Sequence, residues 1–257
     1  MPDLAPLLVD ILPFILIGFT AQMIDGALGM AFGVTTQTLL VSAMGVPPAS
    51  ASASVHLVEM FTTGVSGISH AWHRNVDWGL FRRLVPFGVL GGVTGAYILS
   101  NIDASAARPF VMIYLTGIGF YLLWRAIRLS QPSFADPKYT SPLALVGGFL
   151  DAAGGGGWGP VVTSNLLIQG GDPRKVIGTV NTAEFLLTLS ISVTFLLTLG
   201  PAAFTLVTGG LIIGGVVAAP FGAFLASRVQ PRLLLLAVSL VLIATSAYSI
   251  WKAWPII

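Results

Sequence analysis

Residues 150–160 read Leu150-Asp151-Ala152-Ala153-Gly154-Gly155-Gly156-Gly157-Trp158-Gly159-Pro160, a run of glycines between two apolar stretches. Those stretches, at about 141–152 and 158–169, are too short to cross a bilayer untilted, which takes roughly 20 apolar residues. They read as half-helices meeting at an unwound turn. The device occurs twice. Asp25-Gly26-Ala27-Leu28-Gly29 through Gly33 aligns with Asp151 through Gly159 at an offset of 126 (from 25 to 151). Ser54-Val55-His56-Leu57-Val58-Glu59 aligns with Thr179-Val180-Asn181-Thr182-Ala183-Glu184 at 125 (from 54 to 179), and Gly95 to Ser100 with Gly222 to Ser227 at 127 (from 95 to 222). Three anchors in one order at nearly constant spacing mark an internal duplication.

The composition fixes the solvent. Of 257 residues, 55% are hydrophobic and 9% charged, with 30 glycines and no cysteine, and the mean hydropathy is +0.89. A soluble domain carries about 25% charged residues, so this chain cannot cover a globular surface. That excludes an ordinary cytosolic enzyme and predicts a polytopic, all-α membrane protein. Without cysteine there is no disulfide framework, thiolate metal site or thiol nucleophile. The net charge of +2 is too small to indicate a nucleic-acid partner. The opening MPDLAPLLVD has no basic region before its apolar run and reads as part of the first membrane segment rather than a cleaved leader.

Apolar segments run at about 6–24, 30–44, 50–71, 80–100 and 104–128, then 141–152, 158–169, 175–199, 203–227 and 231–254. The polar connector at 130–141 divides a first membrane repeat (1–129) from a second (142–257). If each Gly-rich segment joins a hairpin, spanning or re-entrant, one face holds Arg74, Arg82, Arg83, Arg125, Arg128, Lys138, Arg174, Lys175, Arg228 and Arg232. The other then holds only Arg108 and Lys252. Treating each pair as one broken crossing makes the division far more even, so the positive-inside rule prefers hairpins. Five segments per half is odd, so the halves are inverted and both termini lie outside, with 8–10 membrane segments in all. Inverted repeats are a common design of secondary transporters.

Four acids fall inside membrane segments: Asp25, Glu59, Asp151 and Glu184. A charged side chain there costs roughly 2.5–3.5 kcal/mol on insertion scales and usually faces a cavity. They form two repeat-related pairs suited to proton coupling. The alternative for Asp25 and Asp151 is capping beside the glycines; for Glu59 and Glu184 it is a neutral carboxyl bonded between helices. His56 shares a helix face with Glu59 and Ser52, as proton sensor or anion partner or as a satisfied core residue. Helices starting after Gly29–Gly33 and Gly155–Gly159 aim unpaired N–H groups and positive dipole ends at the midplane, an anion site without lysine or arginine. The candidate substrate contacts are Gly29, Gly33, Gln37, Ser54, Gly155, Gly156, Gly157, Thr163, Asn165, Thr179 and Asn181, with Gln22, Thr36 and Ser164 nearby. Gly88, Gly91, Gly92, Gly95, Gly214, Gly215 and Gly222 read instead as close-packing positions.

Other motifs fail. Gly154-x-Gly156-x-x-Gly159 has no βαβ unit around it, no phosphate-binding GxxxxGK[ST] occurs, and His56, His70 and His73 make no zinc pattern. No catalytic residue, metal or cofactor is expected.

The motifs at 25–33, 150–160 and Gly178-Thr179-Val180-Asn181-Thr182-Ala183-Glu184 resemble the TauE/SafE family of membrane transporters, over nearly the whole chain. The resemblance implies a bacterial or archaeal inner-membrane permease for a small sulfur-containing anion such as sulfite or an organosulfonate. It further implies an exporter driven by an ion gradient. An uncoupled anion channel, and more remotely a membrane subunit of a larger complex, stay open as alternatives, as do monomer and homodimer.

Overall fold

The computed structural model describes residues 4–28, 30–128, 136–203, 206–228 and 231–253, and among them there is no strand. The helices are α1 (Leu4–Leu28), α2 (Phe32–Ser42), α3 (Pro48–Trp72), α4 (Trp78–Ser100), α5 (Ala104–Ile127) and α6 (Thr140–Gly154). After a π-helical turn (Trp158–Thr163) come α7 (Ser164–Ile168), α8 (Pro173–Leu199), α9 (Leu206–Arg228) and α10 (Pro231–Ala253). Helix starts follow local chemistry: the Asp77 carboxylate accepts from the N–H groups of Gly79 and Leu80 to open α4, and Asp172 accepts from Arg174 to open α8, with Pro173 in its first turn. Trp78–Ser100, Ala104–Ile127 and Arg174–Leu199 are long and apolar enough to cross a membrane, with mean hydropathies of 1.3, 1.6 and 1.7. The chain is a multi-pass membrane protein.

Both glycine runs break the helix where expected, but the two breaks are not alike. The second joins the 15-residue α6 to the short α7, as expected of half-helices. The first follows a 25-residue α1, because the apolar run leading into Asp25 is long enough to continue through Leu28 before the chain turns.

Contacts at the helix ends establish the course of the chain. The Lys138 N–H donates to Gln169 Oε1 (2.7 Å), so the start of α6 and the end of α7 lie together and the pair folds back on itself. That end of the bundle also holds the α3–α4 loop and the start of α8, where Arg174 Nε donates to Asn75 Oδ1 (2.7 Å) and Lys175 Nζ to the Arg74 carbonyl (2.9 Å). Arg74, Arg82, Arg83, Lys138, Arg174 and Lys175 are exposed there, making a basic end. At the opposite end Arg108, in the first turn of α5, donates to the Val41 carbonyl near the end of α2 (2.8 Å).

Glycine sets the packing distance. α1 lies along α9, α4 along α6, α5 along α10, and α3 along α8. A Cβ on Gly91 would strike the Leu145 carbonyl and one on Gly148 the Gly88 carbonyl, while Gly214 meets the backbone of α1 at Ile15. Gly88 and Gly92 take the Trp158 ring and the Leu187 and Ile191 side chains. Gly215 is looser, and the side chain position of Gly222 lies outside the described residues. Because lipid tails are as apolar as leucine, such close approach carries much of the helix association. Substituting Gly91→Ala or Gly148→Ala is expected to lower the thermal unfolding midpoint in detergent, an overpacking cost of about 1–3 kcal/mol. Gly117→Ala, where a Cβ meets nothing within 4 Å, should leave the midpoint unchanged or raise it slightly.

Candidate functional site

Each break is held by the aspartate that precedes it. Asp151 Oδ1 accepts from the N–H groups of Gly157 (2.7 Å) and Trp158 (2.9 Å), and the Asp151 carbonyl accepts from Gly155 and Gly156. Asp25 Oδ1 accepts from the Phe32 N–H (3.2 Å), the same seven-residue reach as from Asp151 to Trp158. The N–H groups expected to stand unpaired after the breaks are therefore in part capped, because a carboxylate lies within reach on the preceding helix. The chain turns through Gly155 (φ 74°) and Gly156 (φ 150°) in the second break, and through Ala31 (φ 108°) in the first.

The two breaks meet. A Cβ on Gly33 would lie 2.9 Å from Gly156 Cα and 3.2 Å from Glu59 Oε1, so only glycine lets the backbones and the carboxyl share this space. Between them is a small cavity of about 30 Å³, whose lining includes Asp25, Met30, Gly33, Glu59, Thr62, Thr63, Asp151, Gly156, Gly157, Asn181 and Glu184. All four intramembrane acids thus converge on one space. Its volume suits a water or two.

His56 lies behind this cavity. Ser52 Oγ donates its one proton to the Ala152 carbonyl (2.7 Å). His56 Nδ1 lies 2.7 Å from the Ser52 carbonyl, which can only accept, so Nδ1 carries a hydrogen. His56 Nε2 faces Asp151 Oδ2 at 3.1 Å. The buried pair ties α3 to the second break.

Other candidates from the sequence are placed elsewhere. Gln37 Nε2 donates to the Pro48 carbonyl and the side chain fills the space over Gly155. Ser54 Oγ accepts from Thr208, Asn165 Nδ2 donates to the Val161 carbonyl, and Thr179 Oγ1 accepts from the Asp77 N–H. Thr163 is buried but does not line the cavity, and Gly29 lies outside the described residues. Sequence reasoning missed Thr62 and Thr63, which follow Glu59 by three and four residues and so share its helix face. It also missed Tyr114, whose hydroxyl donates to the Gly156 carbonyl (2.8 Å); no sequence signal marks that contact. Among the described residues no group of three or more His, Cys, Asp or Glu is placed to hold a metal ion.

The capping geometry makes a prediction. Asp151→Asn keeps an oxygen for Gly157 and Trp158 and gives His56 Nε2 an N–H partner, so the unfolding midpoint should stay near wild type. Asp151→Ala leaves two buried N–H groups unmatched, at about 1–3 kcal/mol each, and should lower the midpoint strongly. Thermal unfolding followed by circular dichroism in detergent checks both.

The model of the sulfite exporter TauE/SafE family matches residues 14–249. The "Probable membrane transporter protein YtnM" of Bacillus subtilis (strain 168) is 41% identical over 249 residues, covering 94% of this chain and 83% of that protein. No solved structure matches. The chain belongs to the TauE/SafE family of sulfite exporters, a family of membrane transporters.

Proposed function

We propose that the protein is an ion-coupled secondary transporter, working as an exporter of a small sulfur-containing anion such as sulfite or an organosulfonate. The observation that carries this reading is the convergence of Asp25, Glu59, Asp151 and Glu184 on one cavity between two helix breaks. The architecture proposed is two inverted repeats, residues 1–129 and 142–257, joined by the connector at 130–141. In support, the helix pairings survive exchange of the halves: α1 with α9 becomes α6 with α4, while α3 with α8 and α5 with α10 map onto themselves. The membrane is taken as a bacterial or archaeal inner membrane, with the basic end cytoplasmic and both termini outside.

The coupling follows from which groups can donate a hydrogen bond. Thr62 and Thr63 donate to the Glu59 carbonyl, and Asn181 Nδ2 to the Ile177 carbonyl, all on their own helices. Among the lining side chains, the donors left to meet an oxyanion are the second hydrogen of Asn181 Nδ2 and the carboxyl groups, and a carboxyl donates only while it holds a proton. Protonated Glu59 and Glu184, with Gly33, Gly156, Gly157 and Asn181 around them, receive the anion as the cavity widens. Loss of the protons turns the same groups into repelling charges and releases it. Rocking of the repeats about this point exposes it to the two sides in turn. An uncoupled channel is the second reading, and oligomeric state is open between monomer and dimer.

Flux in proteoliposomes tests this. Sulfite, an organosulfonate, sulfate and chloride are offered separately, with and without a pH gradient. A sulfur anion should move, faster under the gradient, and Glu59→Gln and Glu184→Gln should abolish the stimulation while basal movement persists. Movement indifferent to the gradient favours the channel, and no movement of any anion sinks the reading.

A further inference from the structure

The acidic cavity leaves open how a permease of this kind selects an anion, and the answer lies one residue outside it. Arg125 sits in the last turn of α5, where an arginine ordinarily extends to the membrane surface. Its side chain turns inward instead. Nη1 donates to Met30 Sδ (2.9 Å) and to Ser164 Oγ (2.7 Å), so it lies between the first break and the start of α7. Among the described lysines and arginines, Arg108 and Arg125 are the ones that are not exposed, and no carboxylate is within ion-pair distance of Arg125. A thioether and a hydroxyl are neutral partners for a guanidinium that offers five N–H donors. Tyr121, one turn earlier on α5, buries its hydroxyl beside Ser164 and the guanidinium.

Met30 connects this cluster to the cavity: it lines the cavity wall and touches Arg125 on the other side. Met30 is flexible and adaptable, so its movement would open the cavity towards the basic end directly onto Arg125. We propose that Arg125, with the hydroxyls of Ser164 and Tyr121, is the anion-receiving site of the transporter on the basic side. It binds a sulfite or sulfonate group through the guanidinium fork once Met30 moves aside. The fork matches two oxygens of such a group at once. The repeat offset of 127 carries Arg125 onto Lys252, so each half supplies one cation at this place in the sequence. This inference rests on the anion-transport reading above and adds the residue that discriminates for charge.

The test measures the half-saturating sulfite concentration for flux in proteoliposomes, beside the thermal midpoint of each variant in detergent. Arg125→Gln should raise half-saturation about tenfold or more, the loss of one charge-assisted contact, with the pH-gradient stimulation retained. Arg125→Lys should restore part of the affinity. Arg82→Gln and Arg83→Gln, exposed at the same end, should change it less than about twofold, the size expected of screened surface charge. A wild-type half-saturation in Arg125→Gln overturns the inference and leaves the transport reading standing; so does an equal rise in the two exposed controls. A fall in thermal midpoint without a change in half-saturation assigns Arg125 to anchoring and also overturns it. If Arg125→Gln does not fold, unchanged half-saturation in Arg125→Lys overturns it, and a rise supports it. Wild-type protein that moves neither sulfite nor methanesulfonate brings down both readings.

Discussion

The structure depends on the bond from a carboxylate to the N–H groups of a helix that begins seven residues later. A chain that breaks its helix inside a bilayer exposes backbone donors where no water is at hand, at a cost of several kcal/mol for each. Asp151 meets that cost at Gly157 and Trp158, and Asp25 does so at Phe32. The same carboxylates line the central cavity. Capping and function are therefore not rival accounts of these residues, because the geometry that satisfies the break also fixes where the acid stands. The Asp151 link to His56 extends the constraint to α3, so the second break cannot shift without disturbing the helix that carries Glu59.

Glycine is the second condition, in two different ways. Along α4 and α6 it removes side chains so that backbones touch, at Gly91 against Leu145 and Gly148 against Gly88. At the breaks it lets Gly33 and Gly156 approach while Glu59 reaches in from α3. The first use brings the folded-back pair of α6 and α7 into the bundle; the second leaves a cavity at its tip.

Much of this was legible in the sequence because its signals are local. The breaks are runs of glycine, the four acids stand alone in apolar segments, and the offsets of 125 to 127 relate them. Polar side chains on helices were harder to place. Gln37, Ser54, Asn165 and Thr179 sit on or next to elements that line the cavity, yet each bonds to a neighbouring element or nearby backbone. A helix turns 100° per residue, so one position decides whether a group faces a cavity or a packed neighbour. Arg125 was hidden for a different reason. By position it belongs with the basic residues of the loops, and only the inward course of its side chain separates it from them.

The arrangement of charge then narrows the mechanism. Two unit charges about 6 Å apart at an effective dielectric constant of about 20 interact by about 3 kcal/mol. An anion beside several ionised carboxylates would be expelled, so in this reading anion occupancy and proton occupancy of the cavity rise and fall together. That linkage gives coupling but little selectivity, since a neutral carboxyl donates to many acceptors. A guanidinium in the same cavity would form ion pairs with the acids and hold them ionised, which would abolish the linkage. In this reading selection by charge is made beside the proton site rather than within it, and Arg125 stands outside the cavity lining, against Met30.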